Sequence, residues 1–118
     1  MREQSLYIAD IIAAINFAKE FVHGMTFDEF LADEKTRSAV VQKLLIIGEA
    51  SKNLDVSTQE IDLSVPWKLM AGMRDRLVHG YFGTDYAIVW RVIHAELSRI
   101  GPKLEPILRT LEQNSGTK

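Results

Sequence analysis

From about Lys35 to Leu54 the chain carries Val40, Val41, Leu44, Leu45, Ile47 and Gly48 in a long, mostly apolar pattern without proline, and this stretch constrains the fold more than any other. A buried central helix accounts for it, with Gly48 marking a close approach of a second helix. Ile8, Ile11, Ile12, Ile15 and Val22 recur at helical spacing from Gln4 to His23, with Gly24 as a stop. Thr26 and Glu29 have the spacing of a capping box, ahead of a short helix bearing Phe27, Phe30 and Leu31. The polar run from Asn53 to Ser64 has room for a single turn around Gln59 and Glu60. Pro66 suits the first position of the next helix, in which Trp67, Leu69, Met70, Met73 and Leu77 continue until Gly80 and Gly83 end it. Thr84 is placed to cap a helix with Tyr86, Val89, Trp90, Ile93 and Leu97 on its apolar face. Gly101 and Pro102 interrupt the pattern before Leu104, Ile107, Leu108 and Leu111 restart it. No segment alternates as a strand does, so the expectation is an all-α bundle of five helices, one short or broken.

The chain has 118 residues, enough for one domain with a core of its own. We read residues 1–112 as that domain and 113–118 as a short tail expected to fray. There is no cysteine, which excludes disulfides, thiolate metal sites and a cysteine nucleophile. The N-terminus carries Arg2, Glu3 and Asp10 and lacks a signal-like apolar core, and no stretch approaches membrane-spanning length, so a cytoplasmic location is expected. The net charge of −2 gives no global attraction to nucleic acid. Residues 1–34 hold two basic and seven acidic side chains, net −5, so the remainder carries +3 and is where a polyanion should settle.

The most informative stretch runs from Met73 to Asp85: Met-Arg-Asp-Arg-Leu-Val-His-Gly-Tyr-Phe-Gly-Thr-Asp. In it Arg74, Asp75, His79 and Tyr81 follow the order arginine, polar residue, three further positions, histidine, any residue, tyrosine. This resembles the signature of HEPN domains in the form found in HepT toxins. The flanks Ile46-Ile47-Gly48-Glu49-Ala50, Val65-Pro66-Trp67 and Val89-Trp90 extend the likeness over residues 4 to about 110, and the longer polar connection from Asp55 to Ser64 departs from it. The resemblance implies a HEPN-type four- to five-helix bundle, dimeric through the motif helix from Pro66 to His79. It further implies the toxin of a bacterial toxin–antitoxin pair: a metal-independent endoribonuclease without cofactor, neutralised by an MNT-type nucleotidyltransferase antitoxin that transfers AMP from ATP to Tyr81. The alternative is a non-catalytic HEPN partner of a nucleotidyltransferase, which the acidic balance favours.

The residue types suit such chemistry. Cleaving RNA without a metal needs proton transfer at the 2′-hydroxyl and the leaving oxygen, and positive charge over the phosphorane. Histidine performs the first near neutral pH and arginine supplies a forked, permanent cation for the second. His79 is therefore the candidate acid or base, Arg74 the phosphate clamp and Asp75 an orienting acceptor. Arg76, two positions from Arg74 and on another face, is read as solvent-exposed and available to RNA. On an unbroken helix Arg74 and His79 stand roughly 140° apart, so one motif helix does not by itself make a pocket. The bland alternative makes His79 a helix-end histidine and Arg74 a surface ion-pair partner. Trp67 and Trp90 read as packing residues, Phe82 as a core aromatic, Glu49 has no companion that suggests a metal, and His23 and His94 read as isolated structural histidines.

Overall fold

The computed structural model describes residues 2–79 and 83–116. Its elements are α1 (Gln4–Phe21), α2 (Phe27–Ala32), α3 (Glu34–Lys52), α4 (Val56–Gln59), α5 (Trp67–Ala71), α6 (Met73–Leu77), α7 (Tyr86–Arg91), a π-helical turn (Val92–Glu96) and α8 (Leu97–Gly116). Among the described residues there is no strand, only an isolated bridge between Val78 and Thr84. The all-α bundle is therefore what the chain adopts, with α3 against α1 on one side and α5 and α6 on the other, and α8 packed along α1.

Hydrophobic burial along α1, α3 and the α7–α8 rod drives this arrangement. Ile8, Ile11, Ile15, Val40, Leu44, Ile47, Val89, Ile93, Leu97 and Leu104 are almost wholly shielded from solvent. Gly24 takes the left-handed conformation (φ 77°) just past α1, which lets the chain reverse there. The capping box forms as its spacing predicts: Glu29 N–H donates to Thr26 Oγ1 (3.1 Å) and Thr26 N–H to Glu29 Oε1 (2.8 Å). Arg37 of α3 then gathers three elements, donating to the Leu31 carbonyl at the end of α2 and lying 5.0 Å from the ring centre of Tyr86 on α7. Trp90 packs against Phe27 and Phe30, which is the packing role expected of it.

The polar connection holds one turn, α4, capped by Asp55. Trp67 Nε1–H points at the carbonyls of Gln59 and Asp62, 3.1 Å from each, so the buried indole ties this connection to the start of α5. Lys103 Nζ donates to Ser64 Oγ (2.9 Å), fixing the same connection to α8.

Several boundaries differ from the sequence expectation. Pro66 precedes rather than opens its helix, its carbonyl accepting Met70 N–H at 3.0 Å. The expected single motif helix is two short ones, α5 and α6, meeting at Gly72. The expected break at Gly101 and Pro102 does not occur, and α8 runs through both Pro102 and Pro106. An interior proline costs roughly 3 kcal/mol. Burying Ile100, Leu104 and Ile107 returns about 1.5–3 kcal/mol for each side chain, enough to keep the helix whole. The same helix extends to Gly116, past the boundary expected at residue 112. No helix among the described residues is long and apolar enough to cross a membrane.

Candidate active site

The signature residues leave the bundle where α6 ends. Gly48 sets the position of that helix: a Cβ there would lie 3.1 Å from Met73 Cβ and 3.4 Å from the Met70 carbonyl oxygen, so α3 touches α5 and α6 nearly backbone to backbone. This is the close approach expected of Gly48. Met73 and Leu77 point inward and are buried, which turns Arg74 and Asp75 outward to solvent. Arg74 borders a small hollow of about 40 Å³ shared with Leu45, Gly48, Glu49, Lys52 and Ala71.

The helix stops at Leu77, two residues short of the expected end at His79. Val78 is already extended (φ −110°, ψ 116°), bridging Thr84, while Asp85 N–H donates to the Leu77 carbonyl and His79 N–H to that of Gly83, each at 2.8 Å. These contacts draw the two sides of residues 80–82 together, helped by the left-handed Gly83 (φ 78°). His79 therefore lies off the helix, and the 140° separation computed for an unbroken helix no longer applies. Its ring is half-exposed, with Nε2 3.8 Å from Asp85 Oδ2. It is not a helix-end histidine sitting on the last turn. Tyr81 and Phe82 lie outside the described residues.

Two assignments change. Thr84 is engaged in the bridge, so Asp85 is the residue that caps α7, its Oδ1 accepting Ile88 N–H at 3.2 Å. Arg76 is not solvent-exposed: it is half-buried and forms a two-pronged ion pair with Glu96 of the π-helical turn, Nη1–Oε1 2.9 Å and Nη2–Oε2 2.6 Å. The pairing holds the Glu96 carboxyl below its ordinary range and raises Arg76 above its own, against the opposing effect of burial in both cases. With both terminal nitrogens committed to Glu96, Arg76 secures α6 to the rod beyond α7 instead of facing an incoming strand.

Sequence reasoning missed Glu96 and Asp85. Twenty residues separate Arg76 from Glu96, and no local pattern joins them. Asp85 carries a recognisable capping signal, but the adjacent Thr84 competes for the same position. His23 and His94, read as isolated, border one cleft of about 330 Å³ with Lys19 and Ser98. His94 also stacks on Trp90, ring centres 4.0 Å apart, with Nδ1 2.9 Å from the Trp90 carbonyl oxygen. Among the described residues no three histidine or carboxylate side chains converge as metal ligands.

With this geometry, the comparison with known proteins is decisive. The family described as "Ribonuclease HepT-like" matches residues 11–111. The chain belongs to the HepT-like family. "Probable ribonuclease HepT" of Thermococcus cleftensis is 39% identical to this HepT-like chain over 90% of its length and 96% of the relative's. A Methanocaldococcus jannaschii protein provisionally named an RNase is 40% identical, covering 90% of this chain and 88% of its own. Another, from Caldanaerobacter subterraneus subsp. tengcongensis and also provisionally named an RNase, is 39% identical over 92% of this chain and 97% of its own. No solved structure matches this HepT-like chain.

Proposed function

We propose that this HepT-like protein is a metal-independent endoribonuclease and the toxin of a toxin–antitoxin pair. The observation that carries the reading is the exit of α6. It leaves Arg74 and Asp75 exposed on the last helical turns and His79 exposed on the extended chain just beyond, within a family whose relatives are named as ribonucleases. His79 takes the proton of the 2′-hydroxyl as the 2′-oxygen attacks phosphorus. The P–O5′ bond breaks, and a proton returns to the 5′-oxygen, leaving a 2′,3′-cyclic phosphate. Arg74 forks onto the non-bridging oxygens, where charge builds up, and Asp75 orients it.

The active species in this reading is a homodimer through the segment from Pro66 to His79. Leu69, half-exposed on α5, supports this, because a solvent-facing leucine on the motif segment is what an interface there would cover. Pairing two such segments brings two arginines and two histidines to one cleft. The partner is an MNT-type nucleotidyltransferase antitoxin. It directs the Tyr81 hydroxyl oxygen onto the α-phosphorus of ATP, releasing pyrophosphate and the phenolic proton and leaving AMP on the tyrosine. That phosphodiester, two residues from His79, repels an incoming RNA backbone and competes for Arg74.

Arg74→Ala is expected to lower the rate of RNA cleavage at least about a hundredfold while the helical spectrum stays unchanged. An undiminished rate would remove Arg74 from the mechanism. Incubation with the nucleotidyltransferase and ATP is expected to add AMP to Tyr81, mapped by mass spectrometry. An adduct elsewhere, or a Tyr81→Phe protein still neutralised as fully through the antitoxin's catalysis, would leave capture by binding as the means of neutralisation. A chain that never cleaves RNA but binds the nucleotidyltransferase would instead be the non-catalytic partner favoured by the −2 net charge.

A further inference from the structure

We infer that Asp85 is the positioning residue for His79, its carboxylate deciding which ring nitrogen carries the proton and facing the imidazolium as it forms. The inference rests on the ribonuclease reading above and adds to it a residue from outside the arginine–histidine signature.

Backbone contacts fix the pair. Asp85 N–H is held by the Leu77 carbonyl, His79 N–H by the Gly83 carbonyl, and Val78 bridges Thr84, so positions 79 and 85 face each other across a short closure. The carboxylate is then divided between two tasks. Oδ1 accepts Ile88 N–H at the start of α7, which restricts the side chain, and Oδ2 is directed at His79 Nε2 from 3.8 Å. The imidazole is 47% and the carboxylate 38% exposed, so a phosphodiester can reach the ring from solvent. A separation of 3.8 Å is longer than a hydrogen bond, and such contacts commonly tighten when substrate seats. The neighbouring ionisable groups on α6 are Arg74, Asp75 and Arg76, the last committed to Glu96, and Arg91 ends α7. Among the described residues Asp85 is the carboxylate in ion-pair reach of His79.

An acceptor facing Nε2 favours the tautomer with hydrogen there and leaves Nδ1 with its lone pair free. Nδ1 is then the atom that removes the 2′-hydroxyl proton. Once it has done so both nitrogens bear hydrogen, and Asp85 stands beside the new positive charge.

Asp85→Asn separates this role from helix capping, because asparagine caps as well as aspartate. Its oxygen keeps Ile88 N–H, and its NH2 replaces Oδ2, presenting a donor to Nε2 and drawing the ring proton to Nδ1. The expected result is an unchanged melting temperature, kcat on an oligoribonucleotide lower by about 10–100-fold and KM within about twofold of wild type. In 15N spectra of the neutral ring, hydrogen is expected to move from Nε2 towards Nδ1. Asp85→Ser, which caps but presents no group to Nε2, is expected to lose kcat similarly. Wild-type kcat in both variants, or an unchanged ring spectrum in Asp85→Asn, overturns the proposal. Failure of the ribonuclease reading is distinguishable: it shows as no RNA cleavage by the wild type, or as full activity in His79→Ala, whereas the ring spectrum reports the hold of Asp85 on His79 independently of cleavage.

Discussion

Arg76, two positions from the exposed Arg74, is committed to a two-pronged contact with Glu96. Their two-pronged contact ties the helix that carries Arg74 to the π-helical turn, and at 24% and 19% side-chain exposure it is shielded from much of the screening that weakens surface pairs. Glu96→Gln is expected to destabilise the protein by about 1–2 kcal/mol, on the scale of hydrogen bonds to charged groups. The pH dependence has a definite sign. Glu96 is more acidic folded than unfolded, so its contribution is complete above the ordinary value of 4.5 and is lost as pH falls below that through its lowered folded value. Thermal melting from pH 6 down to pH 3 should show wild type and Glu96→Gln converging at the acid end; a constant gap would place the stabilisation elsewhere. A fall in wild-type stability alone would not identify the group, because Asp33, Asp55 and Asp62 are also held below their usual range by hydrogen bonds to Thr36, Thr58 and Ser64.

At the scale of elements, Gly48 controls where α6 can lie. Alanine would gain about 1 kcal/mol of helix propensity in α3. The added carbon would meet Met73 Cβ and the Met70 carbonyl, neither of them the free end of a flexible chain, so α5 and α6 must shift together. Overpacking of this kind costs about 1–3 kcal/mol. Gly48→Ala is therefore expected to be net destabilising by up to about 2 kcal/mol and to slow cleavage further by moving Arg74; a stabilised variant with full activity would show that α6 need not be held so closely. Elements with a repeating apolar face, such as α1 and α3, were legible in the sequence, as were the capping box at Thr26 and the contact at Gly48, whereas the unbroken run of α8 through Gly101 and Pro102 was not. The exit of α6 was not. Its early end depends on Val78 pairing with Thr84 and on Leu77 and Gly83 lending their carbonyls across residues 80–82, which no period in the sequence records. The Arg76–Glu96 pair and the Asp85–His79 approach were hidden for the same reason, since both depend on how α6, α7 and the π-helical turn fold back on one another.

The whole molecule is a helical scaffold that presents Arg74, Asp75 and His79 along one exposed edge. The bundle supplies rigidity through the core that α1, α3 and α8 share, and in the proposed mechanism the α6–α7 junction carries the reacting groups. Pairing of two such edges predicts a dimer at micromolar concentration in light scattering, weakened by Leu69→Asp; a strictly monomeric wild type would contradict it. The central claim is that His79 moves the protons and that catalysis needs no metal. Its most direct test is RNA cleavage in excess chelator by the wild type beside His79→Ala. The account predicts that wild type still cuts, leaving 2′,3′-cyclic phosphate ends, and that His79→Ala is slower by at least about a hundredfold; cleavage abolished by chelator, or retained in full by His79→Ala, would contradict it.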